Sequence, residues 1–404
     1  MCTLPYESRM MHIVLFHFYS RTPNPAYKNL AAALRQRGHK VWLAEPNSDG
    51  DLLWMDGDRL IAVHPGPESI VEKNYSLANN FPVPRWLNSL RFILRLRRYL
   101  RQIKPDIIHV NPSFYPWLLP LFMPSRTYFI FDVKQINVGV NRSWLSRFKE
   151  WQSIQKWRFC AKYIYDHACF HHANSAEKIL GKNWPRYASV VPVGVSDEFL
   201  TVKPRNLEHD NKVRFLYVGA ITRFRNLEKL FLAAQQLLPE TNKFRIDFFG
   251  PDKARGYYHN LVPKLNLDEV VKIYSPLNYA DVPELMASYD VGLAYVPDRP
   301  TWHFQPTLKA LEYRAVGLPI LSTDVTSHRE IVKHDTNGLL ISDAVESIVA
   351  GMRRFIDDPA FLRSARENAQ AMRTGLTWEA VAKMYEQNVY PARVIGRQKL
   401  AEIR

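Results

Sequence analysis

Lys309 and Glu312 stand three residues apart in QPTLKALEYRAVGLPILSTDVTSHRE, residues 305–330, and put an ammonium and a carboxylate on one short segment. Thr307 suits an N-cap and Gly317 a stop, which predicts a helix Leu308–Val316 followed by a buried strand Ile320–Thr323. The spacing places both side chains on one helix face. A cation in a first turn opposes the positive end of the macrodipole, at about 0.3 to 1 kcal/mol, unless an anion shares the position. The stretch therefore reads either as a Lys309–Glu312 ion pair on a solvated helix or as an anion site with Lys309 as a ligand.

Arg223 and Arg225 lie in a loop, AITRFR, that follows the predicted strand VRFLYVG ending at Gly219. In a doubly wound sheet the loops at the carboxyl edge converge on one crevice. Two guanidinium groups, the Lys309 ammonium and a helix N-terminus near Thr307 could then surround a diphosphate, with Glu312 placed for a ribose. Asp132, at the end of another predicted strand, could accept a proton or a sugar hydroxyl. His109, His171 and His172 have no metal-like partners, and Cys2, Cys160 and Cys169 lack ligand spacing. The first strand is not followed by the glycine fingerprint of dinucleotide binding, and no spaced carboxylate cluster suits a catalytic metal. No cofactor and no metal are expected.

The elements that must position these residues form two α/β series. The first runs through predicted strands at 12–18, 40–44, 107–110, 128–133, 168–173 and 189–193, with a helix at 26–37 closed by Gly38. The second has strands at 213–219, 244–250, 270–274 and 320–323. It has a helix at 227–238 capped by Asn226, and a helix running into a strand over 282–296. The fold class is α/β, with two Rossmann-like doubly wound domains. Residues 11–200 form the first domain and 201–376 the second, and the polar, proline-containing stretch 201–212 is the predicted linker.

The 404 residues carry a net charge of +15, and 47% are hydrophobic. Residues 1–200 hold 26 basic and 15 acidic side chains, so +11 of that charge belongs to the first half. An anionic partner for that half is expected. The predicted helix within 85–104 has an apolar face opposite Arg91, Arg95 and Arg98, and 146–168 is a second basic, aromatic segment. Such segments suit peripheral contact with an anionic membrane. No recognised motif points to nucleic acid, and no apolar run is long enough to span a bilayer.

These patterns together resemble the GT-B glycosyltransferases, specifically the family 4 type that uses nucleotide sugars. VRFLYVGAITRFRNLEKL is similar to the family's first donor-domain strand and phosphate loop, and residues 282–340 to its donor-site signature. LAAALRQRGHKV and KPDIIHV are similar to its early helix and strand. By that resemblance Arg225 matches the phosphate-binding lysine, Lys309 a basic residue common in one subgroup, and Glu312 the second glutamate of a two-glutamate motif. The resemblance implies a donor site that includes Gly219, Arg223, Gln305 and Thr307. Two positions depart from the pattern: Ala220 stands for the usual arginine and Phe304 for the first glutamate. The resemblance also implies an acceptor-binding first domain and a donor-binding second domain facing a cleft, and a closing segment, 377–404, that returns to the first. The expected activity is metal-independent transfer from a nucleoside diphosphate sugar to a lipid-linked or polysaccharide-precursor acceptor. Its expected location is cytoplasmic, peripheral on the inner face of the cell membrane. A GT-B epimerase would consume the donor without an acceptor, and a noncatalytic scaffold would not consume it at all.

Overall fold

A computed structural model of the chain describes residues 10–16, 25–46, 52–56, 59–62, 97, 100–101, 103–110, 116–123, 127–133, 136, 144–205, 212–304 and 307–390. Most of the basic segment 85–104, residue Gln305 and the tail after 390 therefore lie outside the described residues. The chain divides into two compact units. One takes Met1–Ile136, Arg142–Gly194 and Trp378–Arg404, and the other Asn137–Asn141 and Val195–Thr377.

The first unit is built on an eight-stranded sheet of order β4-β3-β2-β1-β5-β6-β7-β8. Its strands are β1 His12–Phe16, β2 Lys40–Pro46, β3 Leu52–Asp56, β4 Arg59–Ala62, β5 Ile107–Val110, β6 Tyr128–Val133, β7 His167–Phe170 and β8 Ala188–Val190. Six of these run parallel, and β3 and β4 extend the edge beyond β2 as antiparallel strands that the sequence pattern did not suggest. Every residue of β5 and β6 is buried, as a parallel strand covered on both faces requires. The helix Pro25–Gln36 packs Tyr27, Leu30 and Leu34 into this core, and Tyr385, Val389 and Tyr390 from the end of the chain join them. Glu386 fixes that return: it accepts from Arg37 Nε and Nη2, each at 2.7 Å, and meets His39 Nε2 at 3.0 Å. Between β6 and β7 a helix Trp144–Phe159 runs into a π-helical turn, Cys160–Ile164.

The second unit has a six-stranded parallel sheet of order β11-β10-β9-β12-β13-β14. The strands are β9 Val213–Val218, β10 Phe244–Phe249, β11 Val271–Tyr274, β12 Val291–Ala294, β13 Ile320–Thr323 and β14 Gly338–Ile341. The predicted strands thus form within a few residues of their expected bounds, and the helix Leu308–Val316 forms at the expected ones. Residues 202–205, placed by the sequence in a linker, are tied into this unit. The Arg205 amide donates to Ala287 O at 2.7 Å, and Arg366 Nη2 donates to Arg205 O at 2.6 Å. Asn226 is not the N-cap expected of it. It lies in the left-handed region (φ 50°, ψ 43°) and ends a 3-10 turn, Arg223–Arg225, while the helix begins at Glu228. Asparagine tolerates that conformation better than most side chains, which makes it a turn residue here.

Candidate functional site

The order of the second sheet reverses between β9 and β12, and a crevice outside the carboxyl ends of these two strands is where open α/β sheets bind ligands. The two strands pair only at Phe215–Val291 and Leu216–Gly292, so β9 leaves its neighbour beyond that point. Tyr313 fills the split. Its hydroxyl donates to Leu216 O at 2.8 Å and accepts from the Val218 amide at 3.1 Å. Its ring lies so close to Gly292 that a Cβ there would sit 2.6 Å from ring carbons. A single tyrosine therefore pins the helix Leu308–Val316 across the switch point and aims its N-terminal turn at the loop after β9.

That loop is braced from the other side. The Gly219 amide donates to Phe249 O at 2.9 Å, the Ile221 amide to Pro251 O at 3.0 Å and the Lys253 amide to Ile221 O at 2.9 Å. The loops after β9 and β10 are thereby stitched together past the ends of their strands. Gly219 and Gly250 have φ of 137° and 152°, and a Cβ on Gly250 would fall 2.1 Å from Gly219 O. Only glycine fits at 250.

Lys309 and Glu312 are 5% and 4% exposed, so the solvated-helix reading of this pair does not hold. They form no ion pair within 4 Å either. Lys309 Nζ lies 3.3 Å from the centre of the Tyr217 ring and 3.5 Å from where a Gly219 Cβ would be, and it has no hydrogen-bond partner. Glu312 Oε1 accepts from Tyr279 Oη at 2.9 Å. Burial, reinforced by the positive Arg225, holds the Lys309 ammonium well below its usual range, against the pull of Glu312. Burial also lifts the Glu312 carboxyl from 4.5 to about 7, against the Tyr279 hydrogen bond and the Lys309 charge.

Arg225 is the second cation of the cluster. Its guanidinium carbon lies 5.3 Å from the centre of the Trp302 ring, and its Nη1 is buried with no hydrogen-bond partner. Burial raises the Tyr217 hydroxyl, and the charge of Arg225 together with its hydrogen bond to that hydroxyl partly offsets this. The Arg225 guanidinium thus meets the hydroxyl while Lys309 lies over the ring and Nη1 of Arg225 keeps no partner. Arg223 goes elsewhere: its guanidinium stacks on Tyr257 at 3.9 Å, and the residue is exposed.

Thr307 has the extended backbone of an N-cap but its side chain caps no helix amide. Its Oγ1 lies 3.2 Å from His328 Nε2, and its own N–H donates to that nitrogen at 3.4 Å. The bare nitrogen of His328 is therefore Nε2, and Nδ1 carries the proton toward Ser322 Oγ at 2.8 Å. Burial lowers His328 to about 4, which keeps this link between the helix start and β13 neutral. The Thr307 amide is consequently committed to His328. Tyr217, Tyr279, His328 and Tyr313, which organise the cluster, drew no attention as sequence because aromatic residues in strands and helices read as core.

Asp132 belongs to the first unit and is fully buried. Its Oδ2 accepts from Tyr27 Oη at 2.9 Å, and His109 Nδ1 and His171 Nε2 lie 3.6 and 3.7 Å from its oxygens. Where the sequence places its side chain at a ligand crevice, the described residues put Tyr27, His109 and His171 around the carboxylate. Phe304 closes the short helix Pro300–His303 and offers no carboxylate.

Comparison with known proteins agrees with this architecture. Residues 199–372 match the family model "Glycosyl transferases group 1", and residues 27–131 match "Glycosyltransferase Family 4". Over 222 residues the chain is 28% identical to an exopolysaccharide phosphotransferase of Streptomyces coelicolor, a match covering 52% of this chain and 21% of that protein. The chain spans less than half the length of the curated relatives it matches. Among solved structures it is similar to sucrose-phosphate synthase from Thermosynechococcus elongatus, with a TM-score of 0.70, 18% identity and coverage of 96% of this chain and 99% of that one. It is also similar to Anabaena HepE in complex with UDP and glucose, with a TM-score of 0.66, 14% identity and coverage of 94% and 100%. Such identities speak for the fold alone. The two family models fall on the two sheets and between them match more than half of the 404 residues, and the chain belongs to the GT-B glycosyltransferases of the family 4 type.

Proposed function

We propose that this protein transfers a sugar from a nucleoside diphosphate sugar to a lipid-linked or polysaccharide-precursor acceptor at the cytoplasmic membrane surface. One observation carries the donor part: Lys309 Nζ and Arg225 Nη1 are two buried cationic nitrogens without hydrogen-bond partners, gathered around Tyr217. Leaving buried charged donors unmatched is costly, and a diphosphate at the switch point supplies the missing acceptors. In this reading Lys309 and Arg225 stabilise charge as it develops on the departing diphosphate, which is electrostatic catalysis without a metal. Glu312 orients a ribose hydroxyl, Gly219 lets the phosphates approach the backbone, and Arg223 acts from the exposed rim. Gln305 keeps its proposed place beside the donor, outside the described residues. The UDP and glucose bound by Anabaena HepE, and the exopolysaccharide chemistry named for the Streptomyces coelicolor relative, support the donor and acceptor classes.

The test is incubation of the purified protein with a panel of nucleotide sugars, with and without lipid extract, following nucleotide release and glycolipid formation. Release of one nucleotide only when acceptor is present is the expected result. Conversion of a donor in the absence of acceptor would replace the transferase with an epimerase, and no consumption under either condition would overturn the reading.

A further inference from the structure

A helix of a globular protein ordinarily turns its apolar side chains inward. The helix Trp144–Phe159 does the reverse with four of its five aromatic side chains, Trp157 being half-buried. Trp144 is 74% exposed, Phe148 51%, Trp151 55% and Phe159 52%, and Tyr163 in the turn that follows is 75% exposed. At 3.6 residues per turn the four helical aromatics fall within an arc of about 80°. They form one stripe, in which Phe148 and Trp151 stack on each other with centroids 5.9 Å apart. The helix is held to its unit near its C-terminal end: Arg158 Nε donates to Ile179 O at 2.7 Å, and Cys160 and Ala161 in the following turn are buried.

Charge on the segment is one-sided. Residues 144–163 contain Arg147, Lys149, Lys156, Arg158 and Lys162 against a single acid, Glu150. Arg147 and Lys149 are exposed alongside the stripe. We propose that this aromatic, basic face of Trp144–Phe159 is the surface by which the protein docks on an anionic lipid bilayer. The proposal rests on the membrane-surface part of the function above and names the face that makes the contact. Tryptophan and tyrosine are suited to the headgroup level, where the ring leaves water while its polar edge stays hydrated. Neighbouring cations gain from the negative surface potential of the leaflet. A two-fold pair of chains meeting through the same patch would instead set Arg147 and Lys149 against their own copies, which disfavours a second copy as the occupant. The segment lies along the surface, since no helix among the described residues is long and apolar enough to cross a membrane.

The experiment uses the full chain and sedimentation with vesicles of phosphatidylcholine alone or mixed equally with phosphatidylglycerol. The comparison variants are Trp144→Ser/Phe148→Ser/Trp151→Ser and Arg147→Glu/Lys149→Glu. All five positions are exposed, and far-ultraviolet circular dichroism and thermal unfolding confirm that the variants fold. Wild type is expected to sediment with the mixed vesicles and much less with phosphatidylcholine. Each variant is expected to lose about tenfold or more of its vesicle binding. Equal vesicle binding by wild type and variants would overturn the assignment of this face while leaving membrane association intact. Failure of the wild type to bind any vesicle would overturn both the face and the membrane-surface reading, but not sugar transfer, which the nucleotide-release assay measures separately. A wild-type dimer that the aromatic variant dissolves would assign the stripe to a second copy and overturn the proposal.

Discussion

Lys309 sits over the face of Tyr217, with its nitrogen 3.3 Å from the ring centre, rather than against Glu312 one turn away on its own helix. The ring quadrupole is a weak partner for an ammonium compared with a carboxylate or phosphate. The lysine is thus held in position with no carboxylate in contact with it. Replacing Lys309 with methionine keeps the packing and removes a buried amine that lacks a hydrogen-bond partner. The variant is expected to melt at the same temperature or higher, while its nucleoside diphosphate affinity falls at least about tenfold, or 1.4 kcal/mol. Calorimetric titration and thermal shift with and without nucleotide check both halves; unchanged affinity would remove Lys309 from the site.

Arg225→Ala and Glu312→Ala test the same site through turnover. Each is expected to reduce transfer at least about tenfold, equivalent to 1.4 kcal/mol of transition-state stabilisation, in protein that remains folded. Wild-type turnover in both variants would sink the assignment.

Glu312 also predicts a pH dependence of stability. Its folded pKa, raised to about 7, lies above the ordinary 4.5, so the folded state binds the proton more tightly. The stabilisation this brings is fully present below about 4.5 and is lost as pH rises through about 7. Glu312→Gln cannot lose it. Melting temperatures from pH 5 to 8 should therefore show wild type falling relative to Glu312→Gln; parallel curves would show that the carboxyl is not held neutral. Lys309, with a lowered pKa, acts in the opposite sense, and comparison with Glu312→Gln isolates the carboxyl because both proteins retain the lysine.

Tyr313 predicts a structural effect with a functional readout. Tyr313→Phe leaves Leu216 O and the Val218 amide without their shared hydroxyl, at a cost of about 1 to 3 kcal/mol. Gly292→Ala pushes a methyl group against the same ring, with an overpacking cost of similar size. Both should lower the unfolding midpoint in denaturant and weaken nucleotide binding, because both displace the helix that carries Lys309 and Glu312.

In the first unit, Asp132→Ala removes the carboxylate that accepts from the buried Tyr27 hydroxyl and is expected to cost about 1 to 3 kcal/mol of stability. Adding Tyr27→Phe should recover part of the loss, as a double-mutant cycle would record. A variant of wild-type stability whose turnover loses its pH dependence would instead support the role of Asp132 as a base.

The parts of this architecture legible in the sequence are those governed by local rules. Val213–Val218 and Ile320–Thr323 are short apolar runs with glycine or proline beside them, and Gly317 ends its helix in the left-handed conformation that the pattern predicts. The convergence of Arg225, Lys309 and Glu312 was legible, because carboxyl-end loops meet at a switch point. What stayed hidden depends on contacts distant in sequence. Nothing near Tyr313 indicates that its hydroxyl closes a gap between two strands, and nothing near Thr307 indicates that His328 takes its amide. The same holds for Asp132: nothing near a carboxylate at a strand end indicates that Tyr27, 105 residues earlier, donates to it.

The stitching of the loops after β9 and β10 has a kinetic consequence. A segment cross-bonded at Gly219, Ile221 and Lys253, with a glycine at 250 packed under its carbonyl, has little freedom to swing out and close again. On the proposed function, this wall is already assembled before a donor arrives. Its capture should therefore be governed by diffusion and the pull of the local positive field, with an association rate that falls as salt is added, rather than by waiting for a loop to fold over it.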